Sequence, residues 1–383
     1  MKKAYMYSAV GALFAITASS AFAQSSVTLY GIMDTAIRYQ TNAGPDGKDV
    51  LGMTSGPVTT SRWGLKGQED LGGGLSAVFQ LENGFNVSNG KMSSPNTLFN
   101  RTAFVGLSSN RYGTLTFGNN QAPLLDTMGN VFDPMMVGNY WQDSWMWNGV
   151  GQFLYVDNSV KYNATFGGLN IDAMYGFGNQ AGALGLGSMY AVQLTYVYGP
   201  ASINAGFQQN DVASTTSGSP VNGAKFNLLN ISGKYQLTPT VSLLAGWVHS
   251  QDQTGMTDAN MQQAGAPTLP GRSPNRIDDT FYVGTHWQAT NPLLITVAGY
   301  YGHTRNAERL DGTLGSGINY SATVLAEYSL SKRTEIYGTA DFAHGNGAFA
   351  ADYPGVTNRN TGAIDTVGRT NNVGVAIGLR NMF

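Results

Sequence analysis

The sequence predicts an all-β chain: a 16-stranded antiparallel β-barrel that crosses a membrane. Three observations carry this. Apolar and polar residues alternate with a period of two over unusually long runs. The runs are joined in turn by short turns and long polar loops. The composition also fits: charged residues are 11% and glycine is 50 of 383, yet mean hydropathy is only −0.15. Ordinary globular chains carry about 25% charged residues and about 7% glycine.

The first residues read as an export signal, not as part of the fold. Lys2 and Lys3 are basic, Ala9 to Ala18 is a short apolar run, and Ala21-Phe22-Ala23 is an A-x-A cleavage site. Residues 1–23 are therefore expected to be a cleaved signal peptide, and residues 24–383 to form the barrel. Cysteine is absent, which avoids mispairing outside the cytoplasm.

The first strand sets the pattern. Val27, Leu29, Met33 and Ile37 alternate with Thr28, Asp34, Arg38 and Gln40. The apolar face is long for a soluble strand and matches the roughly 9–11 residues of a membrane-crossing one. The pattern recurs where Leu154, Val156, Val160, Tyr162 and Phe166 alternate with Tyr155, Asp157, Ser159, Lys161 and Asn163. It recurs again over residues 319–330 and 333–342, and Val373, Val375, Ile377, Leu379 and Phe383 close the series. The polar sets contain ionisable groups, which suits a wet interior better than a packed core.

The connections set the count. Short turns stand at Asp70–Gly74, Ser109–Gly113, Gly167-Gly168, Gly199-Pro200, Leu237–Pro239, Thr290–Pro292 and Ser331-Lys332. Long polar stretches lie between them at 41–57, 87–97, 120–152, 179–187, 211–224, 252–278, 304–314 and 345–370. Fifteen connections require sixteen strands. In lipid an open sheet edge leaves backbone groups unsatisfied, so the sheet must close. At sixteen strands side chains no longer fill the lumen, and an aqueous channel results.

The same arithmetic excludes other classes. A formal net charge of −2 with 42% hydrophobic residues is not that of a disordered chain. No run of about 20 apolar residues suggests a membrane helix. A pI near 6.1 without a basic run argues against nucleic-acid binding. His249, His286, His303 and His344 lack metal-ligand spacing, and neither H-E-x-x-H nor G-x-S-x-G occurs. No catalytic residue, metal or cofactor is expected. The Asp- and Asn-rich loops show no ordered calcium-ligand series.

Parity nominates residues for the lumen. Arg62 shares a face with Lys66, opposite Trp63 and Leu65, and Arg38 shares one with Asp34 and Gln40. Arg101 faces the lumen on the condition that Phe104 faces lipid. The longest connection, 120–152, carries Asp126, Asp133 and Asp143 together with Trp141, Trp145 and Trp147. A loop so rich in tryptophan is expected to pack against the barrel wall. A belt or a protomer contact is the other reading of these rings.

Several blocks resemble one family. Ser26-Val-Thr-Leu-Tyr-Gly31, Ser61-Arg-Trp-Gly-Leu-Lys-Gly-Gln-Glu-Asp-Leu-Gly-Gly-Gly74, Leu98-Phe-Asn-Arg-Thr-Ala-Phe-Val-Gly-Leu107 and Tyr112-Gly-Thr-Leu-Thr-Phe-Gly118 are similar, in order, to β-proteobacterial general porins. Tyr328 to Tyr337 and Gly378 to Phe383 continue the likeness. The resemblance implies a homotrimer in the outer membrane, in contact with its lipid and lipopolysaccharide. It implies a third outer loop folded into each barrel, whose acids face wall arginines, and passive passage of ions and small hydrophilic solutes. Arg62 and Arg101 match the wall arginines by motif. Asn119 and Asn120, and Tyr155, stand where arginine is common, and Val137 replaces an acid. This thinned ladder implies weak ion selectivity. The aromatic loop leaves a substrate-selective pore as the alternative, and a plugged structural or adhesive barrel as a further one.

Overall fold

The computed structural model describes residues 26–42, 48–136, 153–211, 224–255, 257, 275–308, 314–347 and 371–383. The expected signal peptide, Val137, Asp143 and the three loop tryptophans lie outside these residues.

Seventeen strands form one sheet: β1 (Ser26–Gln40), β2 (Val50–Ser55), β3 (Arg62–Gly72), β4 (Leu75–Gly84), β5 (Thr102–Ser109), β6 (Gly113–Gln121), β7 (Tyr155–Phe166), β8 (Leu169–Gly176) and β9 (Met189–Tyr198) in its first half, then β10 (Ala201–Asp211), β11 (Lys225–Thr238), β12 (Val241–Asp252), β13 (Arg276–Thr290), β14 (Leu293–Glu308), β15 (Leu314–Ser329), β16 (Thr334–Gly345) and β17 (Asn371–Met382). All neighbours are antiparallel. β17 returns to pair with β1, Ile32 opposite Met382 and Gln40 opposite Gly374, which closes the barrel.

The expected sixteen positions are present. β2 and β3 are two halves of one position: β2 pairs with the end of β1 (Gln40 with Val50), and β3 with its start (Ser26 with Gln68). β2 falls inside the stretch read from sequence as loop. Between the halves, residues 56–61 turn inward and are pinned to Asp34, whose Oδ2 accepts the Val58 and Thr59 amides at 2.9 and 2.6 Å.

The two faces follow the alternation. Val27, Ile37, Val105, Val283 and Ile377 point outward and are exposed, while Asp34, Gln193, Asn204 and Asn230 point inward and are fully buried. Lipid removes that outer apolar surface from water, at roughly 1.5–3 kcal/mol for each large side chain. Exposed rings mark both rims: Tyr112, Phe166, Tyr198, Tyr235, Trp287 and Phe383 near the short turns, and Tyr39, Phe177, Tyr190, Phe281, Tyr301 and Tyr320 near the long loops. Such girdles sit at membrane–water interfaces.

Parity breaks in two places. Leu154 and Val156 face the interior, against the expectation that they join Val160 and Tyr162 outside. Asn158 adopts a left-handed conformation (φ 51°), and the register between β6 and β7 shifts at Gly118/Asn120, so side chains beyond that bulge change face. Phe104 lies opposite Gln80, on the inner face, so the condition set for Arg101 fails. Arg101 still reaches the lumen because it stands before β5, outside the alternation.

Candidate functional site

After β6 the chain turns into the lumen as a short π-type helix, Leu125–Phe132. It ends at Asp133 because Pro134 disfavours helical backbone in the residue before it. Leu124, Leu125, Met128 and Met135 bury themselves among Phe226 and Leu228 of β11, Val248 of β12, Tyr282 of β13, Tyr300 of β14 and Leu325 of β15. The loop thus crosses from β6 to the opposite wall. Gly284 of β13 makes this approach possible: a Cβ there would lie 2.5 Å from the Pro134 ring. His286 Nε2 donates to the Pro134 carbonyl at 2.7 Å, and Tyr300 Oη donates to Asp133.

A basic cluster occupies the wall of β3 to β5. Glu82 is its centre. Its carboxylate accepts Arg101 Nε at 2.5 Å and Tyr30 Oη at 2.8 Å, and Arg62 Nη1 stands 4.0 Å away. Gln80 Nε2 donates to Tyr30 Oη at 2.7 Å. Lys66 Nζ lies over the Tyr30 ring at 5.3 Å, and the Arg101 guanidinium over the Tyr155 ring at 5.0 Å. Two arginines therefore share one carboxylate, and Lys66 joins the cluster through the Tyr30 ring. Arg62, Lys66, Arg101 and Tyr155, each nominated by sequence, meet here. Glu82 and Tyr30 were missed, although Tyr30 shares the inward parity of Asp34 and Arg38, and Glu82 that of Gln80.

The other nominated residues lie elsewhere. Arg38 faces inward but binds Asp341. Asp126 binds Lys161, whose Nζ also lies 3.3 Å from Asp172 and donates to the Gln121 carbonyl at 2.9 Å. Burial pushes the Asp126 carboxyl up, and Lys161 pulls it part of the way back. Asp133 is fully buried against Tyr300. Neither loop acid touches the basic cluster. Asn120, one of the two asparagines that stand where arginine is common in the resembled family, is buried, accepting from Thr116 Oγ1 at 2.7 Å and donating to Ser159 Oγ at 3.0 Å. Further inward pairs were not singled out from the sequence: Arg276 with Asp278, and Arg380 with Glu327 and Glu335. Among the described residues no group of acids and histidines forms a metal site.

A closed barrel with an apolar outer band, a charged inner wall and one loop folded inside is the architecture of an outer-membrane channel. Comparison with known proteins agrees. Residues 9–348 match the Gram-negative porin family, and the chain belongs to it. It is 29% identical to an outer membrane porin protein of Bordetella pertussis, over 92% of this chain and 96% of that one. Its fold is similar to an anion-selective porin from Comamonas acidovorans, with a TM-score of 0.74 and 22% identity over 94% of this chain and 100% of that one. It is also similar to the trimer form of OmpT, an outer membrane protein of Vibrio cholerae, with a TM-score of 0.65 and 17% identity over 94% and 99% of the two chains. The chain is an outer-membrane diffusion channel.

Proposed function

We propose that ions and small hydrophilic solutes pass through a gap between the inward loop and the cluster around Glu82, with a weak preference for anions. The carrying observation is the charge imbalance on that wall: Arg62, Lys66 and Arg101 against Glu82 alone. Elsewhere most inward cations among the described residues are matched: Arg38 by Asp341, Lys161 by Asp126 and Asp172, Arg276 by Asp278, and Arg380 by Glu327 and Glu335. Lys234 of β11, near His286 on the facing wall, forms no such pair and adds positive charge of the same sign. Matched pairs add little field, so the unmatched cluster sets the sign. Tyr155 presents its ring face to the Arg101 guanidinium, 5.0 Å away. Asp126 and Asp133 hold the loop to the barrel instead of opposing the arginines.

In this reading the chain acts as a homotrimer, made after cleavage of residues 1–23, and does no chemistry. Its likeness to a neighbour solved in trimer form supports the assembly. The test is planar-bilayer recording on folded protein in a KCl gradient. Three equal conductance steps per insertion and a small reversal potential of anion sign are expected. A current blocked saturably by one solute would indicate a selective pore instead, and silence from folded protein a plugged barrel.

A further inference from the structure

The outer wall of β12 to β14 carries a cluster of ionisable groups among its apolar ones. Near the long-loop end, His249, Asp279 and His303 stand opposite one another on the three strands. Trp247, Phe281 and Tyr301 form the next row toward the membrane centre, and Arg305 stands one row toward the rim, opposite Ile277. Trp247, Asp279, Phe281, Tyr301, His303 and Arg305 line a recess of about 440 Å³ on the outside of the barrel.

Asp279 organises the recess. Its Oδ1 accepts Trp247 Nε1 at 3.1 Å and His249 Nδ1 at 2.8 Å, and its Oδ2 accepts Arg305 Nη2 at 2.7 Å. The carboxylate is thereby occupied, and it fixes the Arg305 guanidinium by one nitrogen only. The Arg305 side chain is 47% exposed, so its other donors face outward. His303 makes no hydrogen bond among the described residues. Below the rings, Val283 and Val297 continue an apolar track down the wall.

We propose that this recess binds the phosphate-bearing headgroup of an outer-leaflet lipid. Arg305 and His303 supply donors for the phosphate, the three rings support the junction between headgroup and chain, and the valine track receives an acyl chain. The level of the aromatic row is that of the interface, where a lipid phosphate lies. Charge-assisted hydrogen bonds to phosphate gain strength beside a low-dielectric acyl layer. The proposal rests on the outer-membrane location and not on the selectivity reading, because these side chains point away from the lumen.

The test is native mass spectrometry of folded, full-length barrels in neutral detergent. Phosphatidic acid, diacylglycerol and inorganic phosphate are the probes. Wild-type protein is expected to retain phosphatidic acid about tenfold better than diacylglycerol, and the double variant His303→Gln, Arg305→Gln to lose about that preference. Conductance and heat-modifiable gel mobility of the variant are expected to be unchanged, which separates this result from any failure of the pore reading. Equal retention of diacylglycerol by the wild type overturns the proposal without recourse to the variant. So does unaltered retention by a folded variant, or inorganic phosphate binding as tightly as the lipid. The chain has no cysteine, so cross-linking of Tyr301→Cys barrels to each other would mean that a second copy covers the face, and would overturn it too.

Discussion

Arg38 on β1 and Asp341 on β16 share two hydrogen bonds, 2.6 and 2.7 Å long, although β17 runs between their strands. They meet because the middle of the inner face of β17 carries only Gly374, Ala376 and Gly378. A Cβ on Gly374 would sit 2.1 Å from Arg38 Nη2 and 2.5 Å from Asp341 Oδ1. Two inward positions along, the Tyr337 ring lies over Gly378 and its hydroxyl donates to Asp34 at 2.6 Å. Side chains from the first and sixteenth strands thus tie the barrel's closing seam from inside. The tie continues to the inward segment after β2, since Asp34 also holds Val58 and Thr59.

Asp341→Asn is expected to leave the Arg38 charge buried without a counter-ion. Breaking one partner of a buried pair costs roughly 3–5 kcal/mol. Gly374→Val removes the contact sterically and is expected to act in the same direction. The temperature at which the folded band gives way to the unfolded one on a gel measures both. A transition unmoved in both variants would show that the seam does not depend on this pair.

The strands were legible because lipid on one side and water on the other impose a strict period of two, and glycine-rich turns punctuate it. Legibility failed where the period is interrupted. β2 is short and threonine- and glycine-bearing, so it reads as loop. The bulge at Asn158 reverses the faces of Leu154 and Val156, and Arg101 escapes the alternation altogether. Partners were the least legible part. Arg38 reads as a lumen charge from its own strand, but its pairing depends on two other strands and on a missing side chain between them.

Glu82→Gln is expected to free Arg62 and Arg101 from their shared carboxylate. One charge at contact distance is worth about 1 kcal/mol in water and less in salt, which corresponds to about a two- to fivefold rise in the chloride over potassium permeability ratio. Arg62→Gln is expected to shift it the other way. Reversal potentials in a KCl gradient compare them, and shifts of the same sign in both variants would remove the cluster from the selectivity account.

Gly284→Leu is expected to lift the inward loop off β13. The new side chain would meet the Pro134 ring and crowd the His286 bond to the Pro134 carbonyl. Overpacking of this kind costs about 1–3 kcal/mol. The new Cβ would also crowd the Val297 carbonyl of β14, 2.7 Å away, so heat-modifiable gel mobility first checks that the barrel folds. The expected signature in folded barrels is a larger single-channel conductance and faster uptake of larger sugars. An unchanged conductance would place the narrowest point away from this loop.

Acid is expected to tighten the loop and to move the gap toward anions. Burial raises the Asp126 carboxyl above its ordinary value despite the neighbouring Lys161. A carboxyl raised by docking favours the docked loop when protonated. Its contribution is therefore complete below the ordinary aspartate range and is lost as pH rises through the docked value. Protonation also removes one negative charge beside Lys161, leaving that ammonium to Asp172 alone. Both effects begin at a higher pH than an ordinary aspartate would give. Reversal potentials measured from pH 7 down to about 4 in wild type and Asp126→Asn isolate this group, since the other lumen acids titrate in both. The wild type is expected to gain anion preference over that range and converge on the variant. Parallel curves throughout would mean that Asp126 does not titrate where its burial puts it.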